Sequence, residues 1–182
     1  MKEDAVVQIR HFFVRNNNFI RNKTVNNPYR IVLFPKSQMS ACIDPEFPIH
    51  KFIFKDFKEI NAIEDANEEV LFDIIGVLVG KGFIKDQNNA KLIELVLEDS
   101  SHNKMYCTLW KEYVDSFRMQ ATNEQNMLPI VIIQFCRPTL YKGKGDVRVC
   151  TSRNVSRLFV NCDIEEITKF RELIVSYTCI GA

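Results

Sequence analysis

The stretch Lys91-Leu92-Ile93-Glu94-Leu95-Val96-Leu97-Glu98, followed after a polar turn by Met105-Tyr106-Cys107-Thr108-Leu109-Trp110, decides the architecture. In the first segment Ile93, Leu95 and Leu97 alternate with Leu92, Glu94, Val96 and Glu98. That period of two belongs to a strand with one face in a core. Residues 99–104 are polar and supply the turn. In the second segment Met105, Cys107 and Leu109 share one face, which places Tyr106, Thr108 and Trp110 on the other. The period then changes. Over residues 111–119, Tyr113, Val114 and Phe117 fall at helical spacing.

Working outward, residues 70–79 form an apolar run that fits a buried strand, and Gly80-Lys81-Gly82 permits a bend or bulge at its end. Downstream, residues 129–137 predict a strand. Residues 139–142 and 146–151 flank Gly143-Lys144-Gly145, a hairpin signal, and residues 156–160 add a short strand. Asp163 with Glu166 three residues later resembles a capping box, and Ile167, Phe170 and Ile174 then space a helix to about residue 177. Five or six short strands, one helix between the middle strands and a closing helix predict an all-β-dominated fold. The best match is a small closed barrel, the five-stranded Greek-key OB-fold.

The first third of the chain is different. Residues 5–14 and 29–34 read as two strands around a polar tip at 15–27, and Pro35 ends the second. A hairpin alone is marginal in water, so it must lean on other structure. Residues 42–57 are extended and punctuated by Pro45 and Pro48, with Phe52, Phe54 and Phe57 available for docking. Residues 60–69 are acidic, with the look of a helical turn. The expected organisation is therefore 1–44, a linker and docking segment at 45–69, and a barrel at 70–182.

Composition sets the class. With 182 residues, 46% hydrophobic and 26% charged, the chain is long enough for a core that buries about 70% of its unfolded surface. It does not have the composition of a disordered protein. No apolar run reaches the roughly 20 residues of a spanning helix, and the start, Met1-Lys2-Glu3-Asp4, shows no secretory signal. No membrane partner is expected. Six cysteines, at 42, 107, 136, 150, 162 and 179, contain no C-x-x-C pair, so buried free thiols are expected.

Signals of catalysis fail one by one. Gly76-Val77-Leu78-Val79-Gly80-Lys81-Gly82 has too short a spacer for a phosphate loop and lacks the Ser/Thr that would hold magnesium. His11, His50 and His102 lack metal-ligand spacing. No Ser-His-Asp or Cys-His set assembles. No enzyme activity, cofactor or small-molecule substrate is expected.

Charge is nearly balanced overall at +1, but residues 8–36 carry a local net of +6, residues 44–73 a net of −6 and residues 137–157 a net of +5. Basic segments interleaved with aromatic rings are the signature of a polyanion binder; a solvated mixed surface is the plain alternative. Parity sharpens the signal. If Met105, Cys107 and Leu109 are core, Trp110, the only tryptophan, points outward beside Lys111. By the same rule Leu140 faces in and Thr139 and Tyr141 out, while Val147 and Val149 face in and Arg148 out. Two roles stay open for Trp110 at this point: a stacking platform for bases, or a cap on the barrel end packed against the following helix.

The chain also resembles the large (70 kDa) DNA-binding subunit of replication protein A, and more closely the plant-type relatives of that subunit. The residues that carry the likeness are Asp73-Ile74-Ile75-Gly76-Val77, Ile93 through Asp99, Thr108-Leu109-Trp110-Lys111-Glu112-Tyr113, Ile130-Val131-Ile132-Ile133, Tyr141-Lys142-Gly143-Lys144 and Asn161-Cys162-Asp163-Ile164. Residues 46–178 look like the second central OB-fold of that subunit. Upstream, Tyr29 through Phe34 and Ser40 through Asp44 resemble the end of the first and the linker after it, so residues 1–44 are expected to be a partial OB-fold remnant of a truncated copy.

The resemblance implies single-stranded DNA binding without catalysis, in DNA replication, repair and recombination, in the nucleus, with single-stranded DNA and the other subunits as partners. By position, Trp110 and Tyr141 match the stacking rings of the second OB-fold, and Phe19 matches one ring of the first. Lys111, Lys142, Lys144, Arg148 and Arg153 are the expected phosphate contacts. Lys111 departs from the pattern, since a glycine often follows the tryptophan. The alternatives are an OB module that binds protein, or a degenerate paralogue that has lost DNA.

Overall fold

The computed structural model describes residues 5–18, 22–44, 46–47, 51–63, 70–87, 90–121, 128–141 and 146–180. The strands of the body are β5 (Phe72–Lys81), β6 (Lys85–Gln87), β7 (Ala90–Glu98), β8 (Lys104–Trp110), β9 (Ile130–Leu140), β10 (Val147–Thr151) and β11 (Arg157–Val160); they follow β1 (Val7–Arg10), β2 (Phe13–Asn16), β3 (Tyr29–Val32) and β4 (Gln38–Ala41). Helices α1 (Phe57–Asn61), α2 (Glu112–Ala121) and α3 (Glu165–Ile180) complete the chain.

Five strands close a barrel. β5 pairs with β7 and β9, β7 with β8, and β10 bridges β8 in parallel and β9 antiparallel. That order, with α2 between the third and fourth barrel strands, is the OB-fold. Closure explains why so modest a chain holds its pleats: no barrel strand is left with an open edge. β6 adds to the rim through β7, and β11 adds to β9.

The period-two pattern sets the core. Ile93, Leu95, Leu97, Met105, Cys107 and Leu109 are all buried, joined inside by Ile74, Val131, Ile133 and Val149. Each such aliphatic side chain contributes about 1.5–3 kcal/mol over exposure. Val114 and Phe117 of α2 enter the same core, as do Phe57 and Ile60 of α1. The run Ile130–Ile133 lacks alternation because both of its faces are covered. Val131 and Ile133 point into the barrel, while Ile130 and Ile132 pack outside with Ile167 and Phe170 of α3 and Phe159. Gly76 is needed for space: a Cβ there would lie 3.0 Å from Leu97 Cβ and from the Glu98 carbonyl oxygen.

Several elements differ from expectation. β9 does not stop near residue 137. It runs on through Pro138, which faces Val149, to Leu140. A bulge at Phe135, whose φ is 55°, lets one strand serve β5 and β11 with its first half and β10 with its second. Leu140 keeps its predicted parity but not its burial; it lies at the strand end and is 41% exposed. The closing helix starts at Glu165, after Asp163 rather than on it.

The predicted strand 5–14 is broken at His11, where φ is 55°. The kink is fixed by the Ser37 hydroxyl, which donates to the His11 carbonyl at 2.6 Å and accepts from the Phe34 amide. The break splits the hairpin into two two-stranded sheets, β1 with β4 and β2 with β3. They expose Phe13, Val14, Tyr29, Ile31 and Met39, and Leu33 just beyond β3 is exposed too. Of the three linker rings, Phe57 is buried, Phe52 packs edge-on against Phe159 and Phe54 is 38% exposed.

Asp73 pins this linker to the barrel. Its buried carboxylate accepts from the amides of Ile53 at 2.8 Å and Phe135 at 2.9 Å. Burial raises its pKa, against the lowering effect of those bonds and of Gln134.

Candidate nucleic-acid interface

The outer face of β7, β8, β10 and β9 is built by register. Glu94 lies opposite Thr108, Thr108 opposite Cys150, and Cys150 opposite Arg137, one row across four strands. Trp110 lies two residues beyond Thr108, opposite Leu92. At the other end, Arg148 faces Thr139, and Tyr141 lies two residues further out. A groove of about 420 Å³ follows this face, lined by Lys85, Glu94, Trp110, Arg137, Tyr141 and Arg148 among others. A second cavity of about 170 Å³ continues past Trp110 and is lined by Lys111, Tyr113, Arg137, Thr151 and Arg153. Trp110 and Arg137 line both.

Trp110 is half-buried at the junction of the two hollows, and Glu112 and Tyr113 at the start of α2 line the smaller one with it. Its amide donates to Thr151 Oγ1 at 3.1 Å, which ties the end of β8 to β10. Tyr113 anchors the same corner through a hydroxyl that donates to the Ser152 carbonyl at 3.1 Å. Tyr141 is 49% exposed. About six residues of strand separate it from Trp110 in the barrel register, roughly 20 Å at 3.3 Å per residue. The two rings are therefore too far apart to enclose a single flat group between them.

The cations differ in what holds them. Lys111 is exposed and sits at φ 50°, a left-handed conformation that a glycine adopts without cost. A glycine, the residue that the resemblance implies here, would remove that cost. The Lys111 amide donates to the Lys91 carbonyl at 2.8 Å and its carbonyl accepts from Val114, so the strained residue starts α2. Arg153 and Arg137 are exposed. None of the three forms an ion pair among the described residues.

Arg148, by contrast, is 17% exposed and its Nη1 lies 2.7 Å from Glu94 Oε1. The other Glu94 oxygen accepts from Lys85 Nζ at 2.8 Å. The hydrogen bond from Lys85 leads the causes that hold the Glu94 carboxyl below its ordinary value, with Arg148 adding to it.

Lys142, Lys144 and Phe19 lie outside the described residues. Arg137 was not among the expected contacts. Its signal was available, since it shares parity with Thr139 and Tyr141, but the strand was expected to end at it. Cys150 forms the floor beside Arg137; burial raises its thiol pKa and the arginine opposes the rise. Burial also pushes the thiols of Cys107 and Cys136 upward, so these interior cysteines are inert. No group of three metal-ligating side chains occurs among the described residues, and no described helix is long and apolar enough to cross a membrane.

No family model matches the chain. A 70 kDa DNA-binding subunit of replication protein A from Oryza sativa subsp. japonica is 26% identical over 157 residues, 81% of this chain and 23% of the relative. Its like-named counterpart from Arabidopsis thaliana is 25% identical over 154 residues, again 81% of this chain and 23% of the relative. The chain thus spans about a quarter of the length of these curated relatives. Among solved structures, a chain of a replication protein A heterotrimer bound to ssDNA superimposes with a TM-score of 0.63 at 22% identity, over 94% of this chain and 39% of that one. That likeness bears on the fold, and it agrees with the OB barrel traced above. In sequence the chain is similar to the 70 kDa DNA-binding subunit of replication protein A, and in fold to a chain of the replication protein A heterotrimer.

Proposed function

We propose that the chain binds single-stranded DNA along the groove of β7, β8, β10 and β9, without catalysis. One observation carries this: two accessible aromatic rings stand at the ends of a continuous groove, with Lys111, Arg137 and Arg153 clustered around one of them. Stacking on a ring contributes roughly 1–3 kcal/mol per base and tolerates any sequence. Cations along the groove neutralise phosphates and release counterions. Lys142 and Lys144, which follow Tyr141 in the sequence, belong to the same proposal as phosphate contacts. Phe19 belongs to the same proposal as a ring contributed from the first third.

The names of the relatives support a role in DNA replication, and the heterotrimer supports other replication protein A subunits as partners; repair, recombination and a nuclear site of action belong to the same proposal. The segments 1–44, 45–69 and 70–182 are proposed as the partial first OB-fold, the linker and the complete second OB-fold.

The test is a titration with a short oligo-dT, following the emission of Trp110, with duplex DNA as the control. Quenching by the single strand that weakens with salt, and little response to duplex, is the expected result. No quenching and no anisotropy change at low salt would overturn the proposal.

A further inference from the structure

Arg148 stands on the outer face of the groove, where a cation would be expected to meet phosphate. Its surroundings do not suit that task. Nη1 is engaged by Glu94 at 2.7 Å. Nε is buried and has no hydrogen-bond partner. The guanidinium carbon lies 3.9 Å from the centre of the Tyr141 ring and 5.1 Å from that of Tyr106. A guanidinium is flat and weakly hydrated, so it lies well on an aromatic face.

Resting on the proposed DNA-binding function, we propose that Arg148 is a positioning residue: with Glu94 it forms a brace that fixes the Tyr141 ring as a preformed platform for a base.

The chemistry of the three groups fits a brace. Tyr141 stands at the outer end of the β9–β10 hairpin, where its amide donates to the Asp146 carbonyl at 3.1 Å. The backbone is thereby held, but the ring is half in solvent and needs its own restraint. Arg148 supplies it by covering one face, which leaves the opposite face for a base. Glu94, on β7, holds the guanidinium in turn, and its second oxygen is held by Lys85 on β6. The carboxylate thus links the β6–β7 edge to β10 across the groove. A negative group in a polyanion site would ordinarily weaken binding; here it keeps the platform in place. Ordering the ring beforehand removes an entropy cost from the binding step.

The brace makes predictions of sign that a phosphate contact does not. Arg148→Met should weaken oligo-dT binding about tenfold, or 1.4 kcal/mol, while leaving the salt slope unchanged. A lost phosphate contact would lower the slope by about 0.7. Arg148→Lys keeps the charge but not the planar stack, so it should resemble Arg148→Met. Glu94→Ala removes an anion from the groove and should still weaken binding. With Tyr141→Ala in the background, all three changes should lose their effect.

A second readout needs no DNA. With ring-labelled tyrosine, the Tyr141 signal of the full chain should shift and gain mobility in Arg148→Met and Glu94→Ala, with urea unfolding confirming that each variant is folded. A reduced salt slope in Arg148→Met, wild-type behaviour of Arg148→Lys, or an unchanged Tyr141 signal would overturn the brace. Failure of the wild-type chain to bind oligo-dT would instead overturn the proposed function, and the ring signal would still decide on the brace.

Discussion

Trp110→Ala is the most direct test of the groove, because the structure separates what the indole does from what its backbone does. The amide of Trp110 donates to Thr151, and the next amide donates to Lys91. Both bonds survive the substitution, so the corner between β8, β10 and α2 stays closed. The core neighbours on the strand, Met105, Cys107 and Leu109, point the other way and are untouched. What is lost is the exposed part of the ring and its packing on the rim.

One stacked base is worth roughly 1–3 kcal/mol, so the dissociation constant should rise by about 5- to 160-fold. Tyr141 lies too far away to replace the missing surface. The ring carries no charge, so the dependence of affinity on salt should stay as it was. Arg153→Ala should do the reverse in kind, lowering the slope by about 0.7 as one phosphate contact disappears. The variant has no tryptophan, so binding is followed by anisotropy of a labelled oligo-dT across a salt series, with urea unfolding alongside. A folded Trp110→Ala protein that binds within twofold of wild type would refute the placement of the strand in this groove. A changed slope would show that the indole orders the cations and is not itself the contact.

Two further predictions concern residues that carry a cost. Lys111→Gly relieves a left-handed lysine at φ 50° and should stabilise the fold by up to about 1 kcal/mol, seen as a higher urea midpoint, while lowering the salt slope of oligo-dT binding by about 0.7. For Asp73 the direction follows from linkage. Its pKa is raised in the folded protein, so between the ordinary aspartate value and that raised value the folded state holds more protons than the unfolded one. Stability should therefore fall as pH rises through this window. Asp73→Asn should remove that contribution to the fall, read from urea midpoints across the acid range; an unaltered pH profile would show that the carboxylate is not the group responsible.

How much could be read from the chain depended on the kind of information a residue carries. Strand parity is local. Ile93, Leu95 and Leu97 declared the inner face of β7 because their neighbours differ from them, and Tyr106, Thr108 and Trp110 were assigned outward by the same rule. Gly80 marked the place where β5 shifts register against β7. Residues 130–133 carried no such signal, since α3 covers the face that would otherwise be polar. β4, with the sequence Gln38-Met39-Ser40-Ala41, has neither alternation nor β-branched residues, and exists because β1 pairs with it. The sequence reads as one strand to residue 137 and another from 139, yet Pro138 is accommodated beyond the bulge at Phe135 and joins them into one.

The same distinction divides the site. Parity placed Arg148 on the outer face but said nothing of its partner. Glu94 lies 54 residues away in sequence and is brought opposite only by closing the barrel. An outward arginine in a basic segment looks the same in sequence whether its charge is spent on a carboxylate or offered to a phosphate. Arg137 is the converse, an ordinary residue at the end of an apolar run that the bulge and the longer strand carry into the groove. Period and parity therefore find the surface on which binding is expected. Which of its cations are free to bind is a property of the closed barrel.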